Sequence, residues 1–353
     1  MLGPPTSHYY PHHVHPRGIN DARPTALTII HDSHLTSALP QKTILITGGA
    51  TSIGLETARA LHATGATVYI TSRDVRKGEE AVEDIMSSDP TNKAPVHVIE
   101  MDLESFSSVR EGARKFLELS GGKLNILICN TGVMAIPFSL TQDGFEKQFQ
   151  VNYLSHFLLF QLLKPALLSS ASSSSSAERN PSSRVVVLTS ESHRQGQVRI
   201  SDYNFTEAGS YHPMKSYAQS KTACIYLANN MTRLFSSSNL HATSVHPGAI
   251  RSGLTSHLAA MTAPLWKIPA VKCREKSAAQ GAATSVYAAV SQEWEGRGGR
   301  YLSNCMEMGP WEGKEGFEVM DEGFAPWAYD REVEERIWGD SLRMVGLEGE
   351  GGS

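Results

Sequence analysis

The chain has 353 residues, of which 40% are hydrophobic and 19% charged, a composition typical of a globular protein with one large core. Its formal net charge of -4 supplies no basic surface for nucleic acid and no polybasic segment for a membrane, which argues against both partner classes. The four cysteines form no C-x-x-C pair, which argues against a disulfide framework or a zinc site and fits a reducing, cytoplasmic location.

Residues 1–40 are rich in Pro, His and Thr, and this composition predicts a flexible leader. We expect no metal site at its histidines (His8, His12, His13 and His15), because nothing predicts a scaffold that would hold the ligands. No secretory signal is predicted, since a basic start followed by an apolar core is missing. The longest apolar stretch, Phe157 to Leu168, is shorter than the ~20 residues of a transmembrane segment and is interpreted as a buried helix.

From Lys42 onward, short β-branched runs alternate with segments of helical periodicity. The predicted strands are Thr43–Thr47, Thr67–Thr71, Val96–Glu100, Leu124–Ile128, Arg184–Leu188 and Ala242–His246, with helices at Leu55–Thr64, Lys77–Met86 and Arg331–Val345. This alternation predicts an α/β fold, a single Rossmann-type doubly wound parallel sheet in three α/β/α layers over residues 41–345. A serine-rich surface loop is expected at 169–183 and a disordered tail at 346–353.

The stretch TGGATSIG, from Thr47 to Gly54, follows the first predicted strand and precedes a predicted helix. In an open parallel sheet this turn takes a dinucleotide's pyrophosphate on the helix N-terminus. Ser52 stands where the middle glycine of such a loop is usually found. We expect Ser52 in the first helical turn with a negative φ, because a positive φ would cost a serine ~1–2 kcal/mol.

The end of the second predicted strand bears on the choice of cofactor. Thr71 and Ser72 end the strand and Arg73 follows, where an NAD-binding chain usually has an acidic residue. A guanidinium offers paired donors to a phosphate, so the sequence favours NADP(H), with a solvent-facing arginine as the alternative interpretation.

Tyr217 and Lys221 are four residues apart, which places a phenol and an ammonium on one face of a predicted helix. The ammonium, helped by the charge of an oxidised nicotinamide, is expected to lower the phenol's pKa from ~10 towards ~7. Tyr211 and Lys215 have the same spacing, but Pro213 lies between them and argues against a regular helix there.

Taken in order, these motifs resemble the short-chain dehydrogenase/reductase (SDR) family from about Lys42 to Ser252. Within it the chain is most similar to retinol-dehydrogenase-like and WW-domain-oxidoreductase-like members, especially fungal ones with the RPTAL leader seen at Arg23 to Leu27. The resemblance implies a catalytic tetrad of Asn152, Ser190, Tyr217 and Lys221. It also implies cofactor contacts from Gly48, Ser52, Ile53, Gly54, Arg73, Asp102, Asn130, Tyr217, Lys221, Ile250 and Ser252.

The family's chemistry gives each tetrad residue a role. Tyr217 would exchange the proton, Ser190 would stabilise the substrate oxygen, and Lys221 would hold the ribose and lower the phenol's pKa. Asn152 would hold a water that links Lys221 to solvent. The resemblance also implies a homodimer or homotetramer.

The substrate is predicted from a lid over residues 253–278, whose apolar residues include Leu258, Met261, Leu265, Trp266 and Ile268. They favour a small lipophilic ketone, aldehyde or alcohol, or alternatively pack the lid's own core. By analogy we expect a fungal secondary-metabolite tailoring step. A catalytically silent NADP(H)-binding scaffold is the alternative function. An epimerase or dehydratase of the longer SDR branch is disfavoured by the glycine spacing and the short C-terminal part.

Overall fold

The computed structural model describes residues 7–172, 182–251, 253–254, 263–313 and 322–348. Within these ranges the strands are β1 (Thr43–Ile46), β2 (Thr67–Ser72), β3 (Val96–Glu100), β4 (Ile126–Cys129), β5 (Ser183–Leu188), β6 (Leu240–His246), β7 (Arg300–Ser303) and β8 (Met306–Glu307). They form one sheet in the order β3-β2-β1-β4-β5-β6-β7-β8, parallel except for the last pair. The predicted doubly wound parallel sheet is confirmed.

Helices cover both faces of this sheet. They are α1 (Tyr10–Val14), α2 (Ala26–Asp32), α3 (Ser52–His62), α4 (Val75–Ser88), α5 (Phe106–Ser120), α6 (Lys147–Phe149), α7 (Ser155–Ser172), α8 (Pro213–Phe235), α9 (Pro269–Lys272), α10 (Ala278–Val290) and α11 (Arg331–Met344). A π-helical turn, Gln150–Leu154, joins α6 to α7. Sequence patterns predicted α3, α4, α7, α8 and α11 but not α5 or α10.

Two apolar layers hold the sheet between the helices. One contains Phe116 of α5 and Phe157 of α7, and the other contains Leu61 of α3 and Val286 of α10. All four residues of β1 and all six of β5 are buried, as expected for strands that are covered on both faces. Since helices cover both faces of the sheet, the open edge of the domain lies at the carboxyl ends of the strands.

The leader is ordered, which corrects the prediction of a flexible segment for residues 7–40. Ile29 and Ile30 of α2 are fully buried in the layer that contains α3 and α10. The side chain of Thr25 caps α2 by accepting a hydrogen bond from the Thr28 amide at 3.1 Å. The prolines and histidines obscured this short apolar helix, which lies within a mostly polar sequence.

Arg23 fastens the leader to the segment before α10. Its buried guanidinium donates to the carbonyls of Arg274 at 2.9 Å, Glu275 at 2.7 Å and Gly18 at 2.9 Å. The guanidinium also pairs with the Asp21 carboxylate at 2.8 Å. The leader is thus held by buried hydrogen bonds as well as by apolar contact.

Several predicted features lie outside the described residues. They are most of the serine-rich loop (173–181), the central part of the lid (255–262), Ser252 and the end of the tail (349–353). In the part of the chain that is described, no helix is both long and apolar enough to cross a membrane. Nor do the described His, Cys, Asp and Glu residues include a group of three or more arranged to hold a metal ion.

Candidate active site

A cleft of about 640 Å³ opens at the carboxyl ends of β1, β2 and β4. In a doubly wound sheet this is the place where the strand order reverses and ligands bind. The predicted site residues that line it are Gly48, Ser52, Ile53, Gly54, Arg73, Asp102, Asn130, Tyr217 and Lys221. The structure therefore brings nine of the predicted residues to one cavity.

The glycine loop has no space for side chains at its two matched glycines. A Cβ at Gly54 would lie 2.2 Å from the Gly48 carbonyl oxygen, and Gly48 itself has a φ of 65°. The Asn130 side chain supports the loop by donating to the Thr47 carbonyl at 2.9 Å. The loop forms a narrow backbone cradle at the start of α3, which suits a pyrophosphate.

Ser52 does not have the backbone conformation that we expected. Its φ is 49°, in the left-handed region, although it is the first residue of α3. The expectation of a negative φ is wrong because the chain turns sharply between the extended Thr51 and the helix. Ser52 keeps the geometry of the missing glycine and bears a strain of ~1–2 kcal/mol.

The side of the cleft next to β2 has charged groups of both signs. The Arg73 side chain is 75% exposed and lies 3.9 Å from the Glu104 carboxylate, too far for a hydrogen bond. Lys77, which we did not single out from the sequence, lines the same part of the cleft. Its position four residues after Arg73, at the start of α4, was the available signal. The Asp102 carboxylate accepts from the Glu104 amide at 2.9 Å.

Tyr217 and Lys221 lie on α8 and both face the cleft. The Lys221 ammonium is 5.6 Å from the centre of the Tyr217 ring and donates to the Leu188 carbonyl at 3.1 Å. Tyr211 lies before the start of α8, and its hydroxyl donates to the Ile136 carbonyl at 2.8 Å. Of the two pairs with this spacing, only Tyr217 and Lys221 are both on the helix.

The protein's own groups raise the pKa of Tyr217. Burial raises the pKa of its phenol above the ordinary value, and a hydrogen bond with the Ser190 side chain opposes that rise. Burial also lowers the pKa of the Lys221 ammonium. The expected lowering of the phenol's pKa by Lys221 together with an oxidised nicotinamide stays a prediction, because it includes the charge of the cofactor.

Ser190 and Asn152 do not line the cleft but contact the residues that do. Ser190 begins the turn after β5, where its side chain accepts from the Ser192 amide at 3.2 Å and bonds with Tyr217. The Asn152 amide group lies in the π-helical turn and makes two hydrogen bonds with the backbone of Val133, at 2.8 and 2.9 Å.

Asn152 and Lys221 meet at Gly132. A Cβ at Gly132 would lie 3.1 Å from Asn152 Oδ1 and 3.4 Å from Lys221 Nζ. Asn152 also donates to the Ser220 hydroxyl at 2.9 Å, which ties it to the helix that carries Lys221. All four tetrad residues are therefore joined by direct contact or through one intervening residue.

The segment after β6 contributes less than we expected. Ile250 pairs with Lys276 in an isolated parallel bridge and packs near Gly281 instead of lining the cleft. The Arg251 guanidinium, which precedes the lid, lies 5.2 Å from the centre of the Trp266 ring, while Ile268 is 41% exposed. Neither Trp266 nor Ile268 lines the cleft, and the role of the lid's apolar residues stays a prediction.

A doubly wound sheet with a backbone cradle for pyrophosphate and a buried tyrosine–lysine pair defines a nicotinamide-dependent oxidoreductase. Residues 42–263 match the adh_short family, described as short chain dehydrogenase. The chain belongs to the short-chain dehydrogenase/reductase family, whose enzymes use NAD or NADP.

Known proteins support this membership along almost the whole chain. The chain is 44% identical to the oxidoreductase calI of Penicillium decumbens over 342 residues, covering 95% of this chain and 96% of the relative. It is 36% identical to retinol dehydrogenase 12 of Mus musculus, covering 88% and 89%. Among solved structures, the RhlG/NADP active-site complex of Pseudomonas aeruginosa is 26% identical with a TM-score of 0.59, covering 76% of this chain and 97% of that one. The predicted retinol-dehydrogenase-like resemblance is confirmed.

Proposed function

We propose that the protein is an NADP(H)-dependent oxidoreductase that interconverts a ketone or aldehyde and an alcohol on a small lipophilic substrate. The observation that carries this proposal is the buried phenol of Tyr217, which bonds with Ser190 and lies beside Lys221 in the cleft. A proton donor, a hydroxyl that can stabilise an oxygen and a cation are the groups that carbonyl reduction needs.

The cleft fits a dinucleotide. The Gly48–Gly54 cradle leaves space for a pyrophosphate where a side chain would intrude, and Arg73 and Lys77 offer positive charge for a 2′-phosphate. The bound cofactor would supply or accept the hydride. The NADP named in the RhlG complex is consistent with this preference.

The chain's own residues account for the movement of the proton. Because burial raises its pKa, the Tyr217 phenol is protonated at neutral pH and is suited to donate to the substrate oxygen during reduction. In alcohol oxidation Tyr217 would have to give up this proton first, which the positive charge of an oxidised nicotinamide would favour. Lys221 would hold the ribose hydroxyls, and Asn152 would position the Gly132 segment beside Lys221 in support of the proton relay.

The physiological setting is also part of the proposal. Similarity to the Penicillium oxidoreductase supports a fungal secondary-metabolite tailoring step. We propose a cytoplasmic homodimer or homotetramer, in keeping with the family's usual assembly. A catalytically silent NADP(H)-binding scaffold is the alternative, and it draws on Ser52 in place of the usual glycine.

Substitution of the tyrosine separates these two functions. We expect Tyr217→Phe to bind NADPH but to lose reduction of a panel of hydrophobic ketones, measured by NADPH oxidation, since it lacks the transferable proton. Tyr211→Phe is the matched control and stays active, because Tyr211 lies outside the cleft. Firm NADPH binding by the unsubstituted protein without reduction of any ketone would support the scaffold.

The choice of cofactor is tested at Arg73. We expect Arg73→Ala to raise the Kd of NADPH about tenfold and to change the Kd of NADH little, since only NADPH has the extra phosphate. Arg76→Ala is the control, because Arg76 is 80% exposed and lies outside the cleft. Equal weakening of both cofactors by Arg73→Ala would refute the NADP(H) assignment.

A further inference from the structure

A second cavity, of about 270 Å³, lies between the leader and the carboxyl ends of β6 and β7. Its lining includes His13 of α1, His246 at the end of β6, Ser303 at the end of β7, and Lys276 just before α10. None of these residues has a role in the tetrad or the nucleotide cleft.

The second cavity adjoins the active site. Glu191 lines it and directly follows Ser190 in the chain. Burial is the main cause of the raised pKa values of Tyr217 and Tyr301, and the negative charge of Glu191 raises both further. Glu191 therefore influences a tyrosine of the active site and a tyrosine of the cavity wall. On the other side, Pro247 lines the nucleotide cleft whereas Gly248 lines the second cavity. The wall between the two spaces is therefore about one residue thick at this point.

Several polar groups of this cavity have no partner within the protein. His13 is only 8% exposed, and both of its ring nitrogens lack a hydrogen bond. The Nδ1 atom of His246 is also buried without one. Lys276, 4% exposed, donates to Asn304 at 2.8 Å and to the Pro247 carbonyl at 3.3 Å, which uses two of its three N–H groups. Such atoms are costly to bury unless a ligand or water bonds them.

The charges around the cavity limit what it can hold. Burial lowers the pKa of Lys276 to about 8, so the ammonium is mostly charged at neutral pH. Burial lowers the pKa of His13 to about 3 and that of His246 as well, so both imidazoles are neutral and each offers one N–H. Arg23 and Arg274 also line the cavity, but Asp21 pairs with Arg23, and the carboxyl groups of Glu191 and Glu322 line the cavity too. There is therefore little excess positive charge for a dianion such as phosphate.

We propose that the second cavity binds a carboxylate group, with Lys276 donating a charge-assisted hydrogen bond and His13 and His246 donating neutral ones. Because the wall at Pro247 and Gly248 separates this cavity from the nucleotide cleft, the carboxylate belongs to a ligand that binds beside the active site and not to the substrate that is reduced there.

Binding to the full chain tests the site without turnover. We expect calorimetric titration to show binding of sodium hexanoate but not of its methyl ester or of inorganic phosphate. Lys276→Met should weaken hexanoate about tenfold through loss of the charge-assisted hydrogen bond. Lys272→Met, an exposed position on α9 outside the cavity, should leave hexanoate binding unchanged.

His13→Leu provides a second variant that keeps the Lys276 hydrogen bonds and so guards against misfolding. It should weaken hexanoate several-fold. The proposal is overturned if hexanoate does not bind, if neither variant weakens it, or if phosphate binds at least as tightly.

Discussion

Replacement of Ser52 by glycine should stabilise the protein, because the native residue is held at a φ of 49°. Relief of this strain is worth ~1–2 kcal/mol. Glycine also makes the unfolded chain more flexible, which costs about 0.5–1 kcal/mol. The expected net gain in the free energy of unfolding for Ser52→Gly is therefore about 0.5–1 kcal/mol.

Ser52→Ala separates strain from the loss of the hydroxyl, since alanine keeps the Cβ that disfavours a positive φ. We expect the glycine variant to be more stable than the alanine variant by about 1 kcal/mol in equilibrium urea unfolding, with equal m values. Equal stabilities would refute the reasoning from strain. In parallel NADPH titrations, modestly weaker binding by both variants would indicate a hydroxyl contact with the pyrophosphate, while tighter binding by the glycine variant would show that the serine side chain obstructs it.

Two further substitutions test features outside the nucleotide cleft. Arg23→Met should lower the free energy of unfolding by about 3–5 kcal/mol, because the Asp21 carboxylate and three carbonyls lose the buried guanidinium that donates to them. An unchanged urea midpoint would contradict this prediction. Glu191→Gln should stabilise the protein increasingly between about pH 5 and pH 8. Burial raises the pKa of Glu191 from 4.5 to about 7. The contribution of this carboxyl group to the free energy of unfolding is therefore fully present below its unfolded pKa and is lost as the pH rises through 7. The expected gain at pH 8 is on the order of 2 kcal/mol, and a difference between the two proteins that does not change with pH would refute it.

The alternation of apolar runs and helical segments was sufficient to predict the sheet. Six strands were identified from short runs that contain β-branched residues, and their alternation with helical segments indicated parallel pairing. The order of the strands came from the structure. The short β7 and β8 were missed, since β7 (Arg300–Ser303) has four residues and β8 (Met306–Glu307) has two, too few for a periodic pattern.

The candidate site was predictable where function depends on residue type and spacing, and less so where it depends on burial. The spacing of Tyr217 and Lys221 indicated a shared helical face, which the structure has. The direction of the Tyr217 pKa was not predictable, because it depends on how completely α8 is covered. The second cavity could not be foreseen at all, since it joins His13 to Lys276, which are far apart in the sequence.

The contacts of Arg23 determine when the leader can dock during synthesis of the chain. Its carbonyl partners at Arg274 and Glu275 are 251 and 252 residues further along the chain, and the helix that α2 packs against follows them. At ~5–20 residues per second, the ribosome needs roughly 12–50 s to produce the missing partners. The leader therefore completes its docking only after Glu275 and α10 have been made. A bulky fusion at the N-terminus would act on this late docking step more than on formation of the parallel sheet.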